Sequence, residues 1–143
     1  TSSHGITIIA DTEDKLISLD EKLEGIILPG GMPGTLNLEK SETVQKAIDY
    51  CIANNLYIGA ICAAPSILGH KGILKGRNAV CFAGFESQLE GANVSDEPVV
   101  LDGNIITSRG AGTAVDFGLK LAEVFASAEQ SKKVGEAILW YRS

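Results

Sequence analysis

Short apolar runs alternate with polar or glycine-rich segments along most of this chain. Several of these runs have the length and the β-branched content of buried strands, and turn-forming residues bound them. They predict strands at residues 5–10, 25–28, 56–61 and 79–82. A hairpin is predicted where the runs 99–101 and 104–107 flank Asp102-Gly103, a dipeptide typical of two-residue turns.

Helical periodicity fills the intervals between these strands. A helix is predicted from Ser41, a suitable N-cap, to about Asn54, and its apolar stripe includes Cys51, which we therefore assign to the core. A short helix should follow the strand at 56–61 and end at Gly69 or Gly72. The order of strands and helices predicts one α/β domain over residues 1–143, a sandwich with a mostly parallel sheet.

Two more helices are predicted near the end of the chain. The segment 108–113 should open a long helix whose apolar residues are Val115, Leu119, Ala122 and Phe125. Ser127 and Gln130 form a capping-box pair that starts the last helix. That helix should bear Val134, Ala137, Ile138 and Tyr141 on one face.

Composition restricts the classes of partner and compartment. The 143 residues carry a formal net charge of −6, which argues against nucleic acid or an anionic membrane as the main partner. No apolar run approaches the ~20 residues that span a bilayer. Three cysteines are too few for a disulfide framework, and no cysteine or histidine spacing indicates a metal site, so we expect a cytoplasmic protein with no metal.

The sequence 59–66 has the pattern of a sharp strand-to-helix turn around Cys62. Small residues flank the cysteine, and a short helix follows at once. Such a nucleophile elbow places its apex residue at the positive end of a helix, where an anion is stabilised. We therefore expect Cys62 to favour the thiolate form. A buried structural cysteine is an equal alternative from this stretch alone.

A second strand-exit loop, residues 29–34, is rich in proline and glycine. If its strand neighbours that of Cys62, the N–H groups of Gly31 and Ala63 could form an oxyanion hole, with Gly30 in support. The loop could also be only a tight turn. Residues 110–113 could bind phosphate, although helix packing is favoured there.

General-base chemistry by histidine has little support in this sequence. The only histidines are His4 and His70, and His70 lies near a predicted helix end, where solvation is favoured. No histidine follows Cys62, which is succeeded by Ala63. A Cys–His–acid triad is therefore poorly supported.

Three motifs in this order resemble the ThiJ/PfpI superfamily and, within it, the DJ-1-like subgroup. They are GIILPGG at 25–31, GAICAAP at 59–65 and ITSRGAGT at 106–113. The resemblance implies a flavodoxin-like three-layer sandwich, a homodimer, and no cofactor. It makes Cys62 the nucleophile and redox centre, with the N–H groups of Gly31 and Ala63 around its sulfur.

The resemblance also implies a class of activity. It points to glutathione-independent glyoxalase or deglycase action on methylglyoxal-like aldehydes or glycated groups, with a role in oxidative stress. The alternative is a redox-sensing chaperone whose Cys62 is oxidised to a sulfinate without significant turnover. A third possibility is an inert scaffold, and the protease-like branch is disfavoured because Ala63 replaces its histidine.

The chain also departs from the family pattern. Phe82 occupies the position where family members carry a histidine near the site, and Cys81 beside it is a possible second thiol, although core packing is favoured. The family's N-terminal glutamate, which hydrogen-bonds the nucleophile, matches no residue here. We expect a preceding segment of about fifty residues, or a separate chain, to supply it; without its strand two apolar strand edges would face water.

Overall fold

The computed structural model describes residues 1–2, 4–13 and 16–140, and its strands and helices lie between Gly25 and Ala137. The strands are β1 (Gly25–Leu28), β2 (Tyr57–Ile61), β3 (Asn78–Ala79), β4 (Asn93–Val94), β5 (Val99–Asp102) and β6 (Ile105–Ser108). The helices are α1 (Gly34–Lys40), α2 (Glu42–Ala53), α3 (Pro65–His70), α4 (Ala114–Phe125) and α5 (Ala128–Ala137). The predicted α/β fold is confirmed.

Four strands form one mostly parallel sheet in the order β1-β2-β6-β5. β1, β2 and β6 are parallel, and only β5 is antiparallel to its neighbour. The last residues of the parallel strands, Leu28, Ile61 and Ser108, therefore lie at the same edge of the sheet. The loops that leave these strands meet there, which is the usual location of a site in this architecture.

Helices cover both faces of the sheet, as alternation along β2 shows. Ile58 and Ala60 point into a buried cluster that includes Ile48 of α2. Gly59 points to the opposite face, where a Cβ atom at that position would lie 2.9 Å from the Cζ atom of Phe117 in α4. The chain is thus a three-layer sandwich of helix, sheet and helix.

Two predicted helix starts are confirmed by their caps. The Ser41 side chain accepts a hydrogen bond from the N–H of Val44 at 3.4 Å, and that of Ser127 accepts one from Gln130 at 3.1 Å. Cys51 is fully buried on α2, as its place in the apolar stripe predicted. In the last helix, Ala137 is the final residue, so Ile138 follows the helix, and Tyr141 lies outside the described residues.

The predicted strand at 5–10 is wrong. Ile6, Ile8 and Ile9 are exposed, and no β-ladder includes them. The segment bonds to itself instead: the N–H of Ser2 donates to the Ile6 carbonyl at 2.8 Å, and Gly5 has a φ of 79°. β-branched residues favour an extended chain, but a strand also needs a paired neighbour.

The predicted strand at 79–82 is also largely wrong. Only Asn78–Ala79 is a strand, and it pairs with β4 in a separate two-stranded sheet. Beyond Ala79 the backbone bonds elsewhere: the N–H of Val80 donates to the Thr107 hydroxyl at 3.0 Å, and the N–H of Phe82 to the Cys62 carbonyl at 2.8 Å. The segment therefore crosses the carboxyl edge of the main sheet and does not join it.

Smaller differences concern the hairpin, one helix and the sheet edges. Asp102 belongs to β5, so the turn is Gly103–Asn104, one residue later than predicted. Helix α1 was not predicted. The four strands pair without a gap and β1 is an outer strand, so one edge of the apolar strand β1 has no strand partner among the described residues. None of the described helices is both long and apolar enough to cross a membrane.

The buried face of β2 should dominate stability. Ile58 is 0% exposed in the core, so Ile58→Ala removes three methyl or methylene groups from a filled space and should lower the free energy of unfolding by about 2–5 kcal/mol. Ile52→Ala, on the outer side of α2 and 39% exposed, is the matched control and should cost less than about 1 kcal/mol. Urea unfolding measures both, and equal losses would contradict this packing.

Candidate active site around Cys62

Cys62 occupies the sharp turn between β2 and α3. Its φ is 67°, in the left-handed region that residues with a side chain rarely adopt. This conformation costs about 1–2 kcal/mol for a residue with a Cβ atom, so the surrounding structure must hold it in place. The predicted nucleophile elbow is therefore present, and its side chain is half-buried.

Two hydrogen bonds from distant parts of the chain hold the Cys62 backbone. The N–H of Cys62 donates to the Ser108 carbonyl at 2.9 Å, and its carbonyl accepts from the N–H of Phe82 at 2.8 Å. Both backbone polar groups of the turn residue are thereby satisfied. The elbow is fixed between the end of β6 and the segment that follows β3.

The glycine-rich loop after β1 contacts the elbow directly. A Cβ atom added to Gly30 would lie 2.7 Å from the Cys62 Cβ atom and 3.0 Å from the Ala63 nitrogen. Only glycine fits at this distance, since any side chain would overlap the elbow. The sequence-based expectation that the loops at 29–34 and 62–64 meet is thus fulfilled in the structure.

The N–H groups of Gly31 and Ala63 donate no hydrogen bond to another of the described residues. Gly31 has a φ of 89°, so its backbone does not continue the extended conformation of the preceding strand β1. Unpaired N–H groups beside a thiol can receive an oxyanion, so the arrangement is compatible with the predicted oxyanion hole.

A hydroxyl group from the following helix fixes each of these two residues. Thr35 of α1 donates to the Gly31 carbonyl from its hydroxyl at 3.1 Å and from its N–H at 2.8 Å. Ser66 of α3 donates its hydroxyl to the Ala63 carbonyl at 2.7 Å. Both hydroxyl groups are buried, so these bonds keep the two loops rigid.

Sequence reasoning missed Thr35 and Ser66. The available signal was a hydroxyl residue three or four positions after each expected N–H donor, the spacing at which a side chain reaches back to the first turn of a helix. Ser108 was noted only as part of a motif. Its hydroxyl bonds the Pro98 carbonyl at 2.9 Å and the Thr113 hydroxyl at 2.7 Å.

The segment at 110–113 satisfies its own polar groups. The N–H of Gly110 donates to the Thr113 hydroxyl at 3.1 Å, and that hydroxyl is 3.0 Å from the Gly110 carbonyl. These contacts support the packing interpretation over a phosphate site. The Phe82 ring lies against Gly110, where an added Cβ atom would be 3.3 Å from the ring's Cδ2 atom.

The other two cysteines are buried in the core. Burial raises the pKa of Cys51. Burial, followed by the charge of Glu86, raises the pKa of Cys81 to about 11, although Arg109 acts in the opposite direction. Cys81 is therefore a protonated core thiol at neutral pH, in agreement with the favoured alternative. Cys62 is the accessible thiol of the three.

His70 lies away from the thiol, at the far end of α3. Its Nδ1 atom is 2.5 Å from the Glu39 Oε1 atom of α1, and both side chains are partly exposed. The interaction joins the ends of the two helices that follow the site loops. His70 was expected to be solvated, and in the structure it is paired as well.

Comparison with known proteins identifies a family and relatives to which this chain is similar. The DJ-1/PfpI family model matches residues 1–124. The chain is 37% identical to Protein DJ-1alpha of Drosophila melanogaster over 140 residues, which cover 96% of the chain and 64% of that protein. The chain thus spans somewhat less than two thirds of the length of this relative.

Two similar proteins carry an activity in their names. The glutathione-independent glyoxalase DJ-1 of Schizosaccharomyces pombe is 36% identical, over 78% of the chain and 60% of that protein. The glutathione-independent glyoxalase DJR-1.2 of Caenorhabditis elegans is 30% identical, over 91% of the chain and 69% of that protein.

A solved structure shows the same arrangement of elements. The crystal structure of Drosophila melanogaster DJ-1beta superposes with a TM-score of 0.90 at 33% identity. The alignment covers 97% of the chain and 75% of the fly protein.

The contact between Gly30 and the elbow can be tested by adding one methyl group. Gly30→Ala should lower the free energy of unfolding by about 1–3 kcal/mol, because its Cβ atom would overlap the Cys62 backbone and side chain. It should also slow the alkylation of Cys62 by iodoacetamide, measured by mass spectrometry. In Gly112→Ala, where nothing lies within 4 Å of the new atom, both quantities should change little.

The raised pKa of Cys81 predicts a pH-dependent stability. The unfolded thiol loses its proton near pH 9.0 and the folded one near 11, so the folded state binds more protons in between and stability falls as the pH rises. The difference in unfolding free energy between wild type and Cys81→Ala should decrease by about 2 kcal/mol from pH 8 to 11. Urea unfolding at both pH values measures it, and a difference that grows with pH would contradict the assignment.

Proposed function

The chain belongs to the DJ-1/PfpI family, and from this premise we propose that it is a glutathione-independent glyoxalase-type enzyme that acts on α-oxoaldehydes through Cys62. The S. pombe and C. elegans relatives bear the glyoxalase name, which supports this class of activity. The dependence on Cys62, the substrate methylglyoxal and a role in oxidative stress are parts of the proposal.

The conformation of Cys62 is the observation that carries the proposal. A side-chain-bearing residue is held at a φ of 67° by hydrogen bonds to both of its backbone groups. Strain of this kind persists where the surrounding structure stabilises it, and it is concentrated at functional sites. A cysteine that served only core packing would not need such a backbone, as the buried Cys51 within α2 illustrates.

The chemistry would proceed without an external oxidant. The Cys62 sulfur attacks the aldehyde carbon of methylglyoxal, and the carbonyl oxygen becomes the oxyanion of a hemithioacetal. The N–H groups of Gly31 and Ala63 would hold this oxyanion. A base then moves the proton from the aldehyde carbon to the adjacent ketone carbon, which gives a thioester of lactate. Water cleaves the thioester, so that lactate and the free thiol are released.

The proton transfer in this scheme needs a carboxylate or another base beside the substrate. The resemblance to the DJ-1-like subgroup implies that a glutamate is this base, and we propose that a further segment of polypeptide, covalently joined or separate, supplies it. A homodimer is proposed on the same ground. Glycated groups would be alternative electrophiles for the same thiol.

The proposal is tested by removing the thiol. Cys62→Ala should lower kcat/KM for lactate formation from methylglyoxal by about 10³-fold or more, since the covalent step is lost. Cys51→Ala removes a buried thiol outside the site and should retain most of the activity of the folded protein. Lactate formation is followed enzymatically, and unchanged turnover in Cys62→Ala would rule out the covalent mechanism.

A redox-sensing chaperone is the second candidate, and the difference in exposure among the cysteines favours it. Cys62 is the accessible thiol, so peroxide should oxidise it before Cys51 and Cys81. The N–H groups that would hold an oxyanion would equally hold a sulfinate. Stable Cys62 sulfinate at low peroxide, together with negligible methylglyoxal turnover by the unoxidised protein, would favour this function over the glyoxalase.

A further inference from the structure

We propose that Phe82 forms an apolar wall of the substrate site beside Cys62, and that this wall makes the enzyme prefer α-oxoaldehydes with an aryl or other apolar substituent over methylglyoxal. The inference rests on the glyoxalase function proposed above and names the substrate class of that site. It follows from the position of Phe82, the support of its ring and its exposure.

The position of Phe82 is fixed by its backbone. Its N–H donates to the Cys62 carbonyl at 2.8 Å, so the two residues are direct neighbours although twenty positions separate them in sequence. The residues before Phe82 are buried: Val80 is 0% and Cys81 is 3% exposed. Phe82 itself is 50% exposed, so its ring is at the surface next to the elbow.

The ring has a defined support. An added Cβ atom on Gly110 would be 3.3 Å from the Cδ2 atom and 3.8 Å from the Cε2 atom of Phe82, so the ring lies on the bare backbone of Gly110. A single exposed apolar side chain is common on protein surfaces. The half-exposed Phe82 ring differs from such a side chain because it packs against a glycine beside Cys62. One side of the ring is supported by the protein, and the other side can contact a ligand.

The order of the strands places this surface on the opposite side of Cys62 from Gly31, one of the two proposed oxyanion donors. Gly30 and Gly31 follow β1, Cys62 follows β2, and Gly110 follows β6, and β2 lies between the other two strands. An aldehyde bound to the Cys62 sulfur with its oxygen toward Gly31 would direct its substituent toward the β6 side. There the substituent meets the Phe82 ring.

The chemistry of this contact selects for apolar groups. Two aromatic rings in contact gain stacking energy in addition to the burial of their surfaces, whereas the methyl group of methylglyoxal covers little of the ring. An anionic substituent would lose water without gaining a partner on the ring, whose face carries partial negative charge. The expected substrate is therefore an arylglyoxal or a long-chain α-oxoaldehyde.

The test compares phenylglyoxal with methylglyoxal as substrates of the whole protein. Phe82→Ala should lower kcat/KM for phenylglyoxal about tenfold and that for methylglyoxal less than about threefold. Phe82→Tyr, which keeps the ring, should retain the preference. Ile138→Ala removes an apolar side chain of similar exposure, 54%, after α5 and should change neither value. An equal change for both substrates, or no change, would overturn the inference.

A second readout does not depend on turnover. N-phenylmaleimide and N-methylmaleimide alkylate the same accessible thiol, and Cys62→Ser confirms the site of labelling. The ratio of their rates at Cys62 should fall about fivefold in Phe82→Ala and stay constant in Ile138→Ala. If wild type converts neither aldehyde, the proposed function fails. The ratio of the two alkylation rates then decides on its own whether Phe82 is the apolar wall. A ratio that is unchanged in Phe82→Ala refutes the apolar wall. Phe82→Leu serves in both assays if Phe82→Ala does not fold.

Discussion

The left-handed turn at Cys62 is the constraint on which the rest of the site depends. A cysteine adopts this backbone only because Ser108 and Phe82 bond its peptide groups on both sides. The same turn sets the requirement for glycine at position 30, because the elbow leaves no room for a side chain there. The conformation of Cys62 therefore constrains three other parts of the chain, which are the loop after β1, the end of β6 and the segment after β3.

Rigid support behind the loops complements this turn. Thr35 and Ser66 are buried, and each donates a hydroxyl to the carbonyl of a residue whose N–H bonds to no other described residue. A site that stabilises a developing charge benefits from donors that do not reorient during the reaction. The two short helices α1 and α3 thus contribute their first turns to the site, and their far ends are joined through Glu39 and His70.

Much of this fold could be predicted from local patterns, and the failures have a common cause. The strand at 25–28, the helix capped by Ser41 and the cysteine elbow follow from apolar periodicity, capping residues and small neighbours, all of which are local. The runs at 5–10 and 79–82 have the same composition as true strands. Whether such a run becomes a strand depends on a partner for its backbone, and composition carries no information on that partner.

Within the site, sequence reasoning identified Cys62 and the glycine loop but missed their support. Thr35 and Ser66 bond carbonyls only four and three positions earlier, so their spacing is a local signal that can be read from the sequence. The contact of Phe82 with Cys62 joins residues twenty positions apart and is a tertiary property that no local pattern reveals. The sequence motifs identify the residues proposed for the chemistry, whereas the packing around the motifs determines how these residues are held in position.

The hydrogen bond between Cys62 and Ser108 has a consequence for the order of events during folding. Its two residues are far apart in sequence, and the turn also needs position 30 and Phe82, so the elbow requires contacts that span most of the sheet. Contacts between distant residues form late, after the entropy of closing long loops has been overcome. A partly folded chain therefore lacks the left-handed turn at Cys62, which arises only with the completed fold. The backbone conformation of this one residue is itself a report of successful folding.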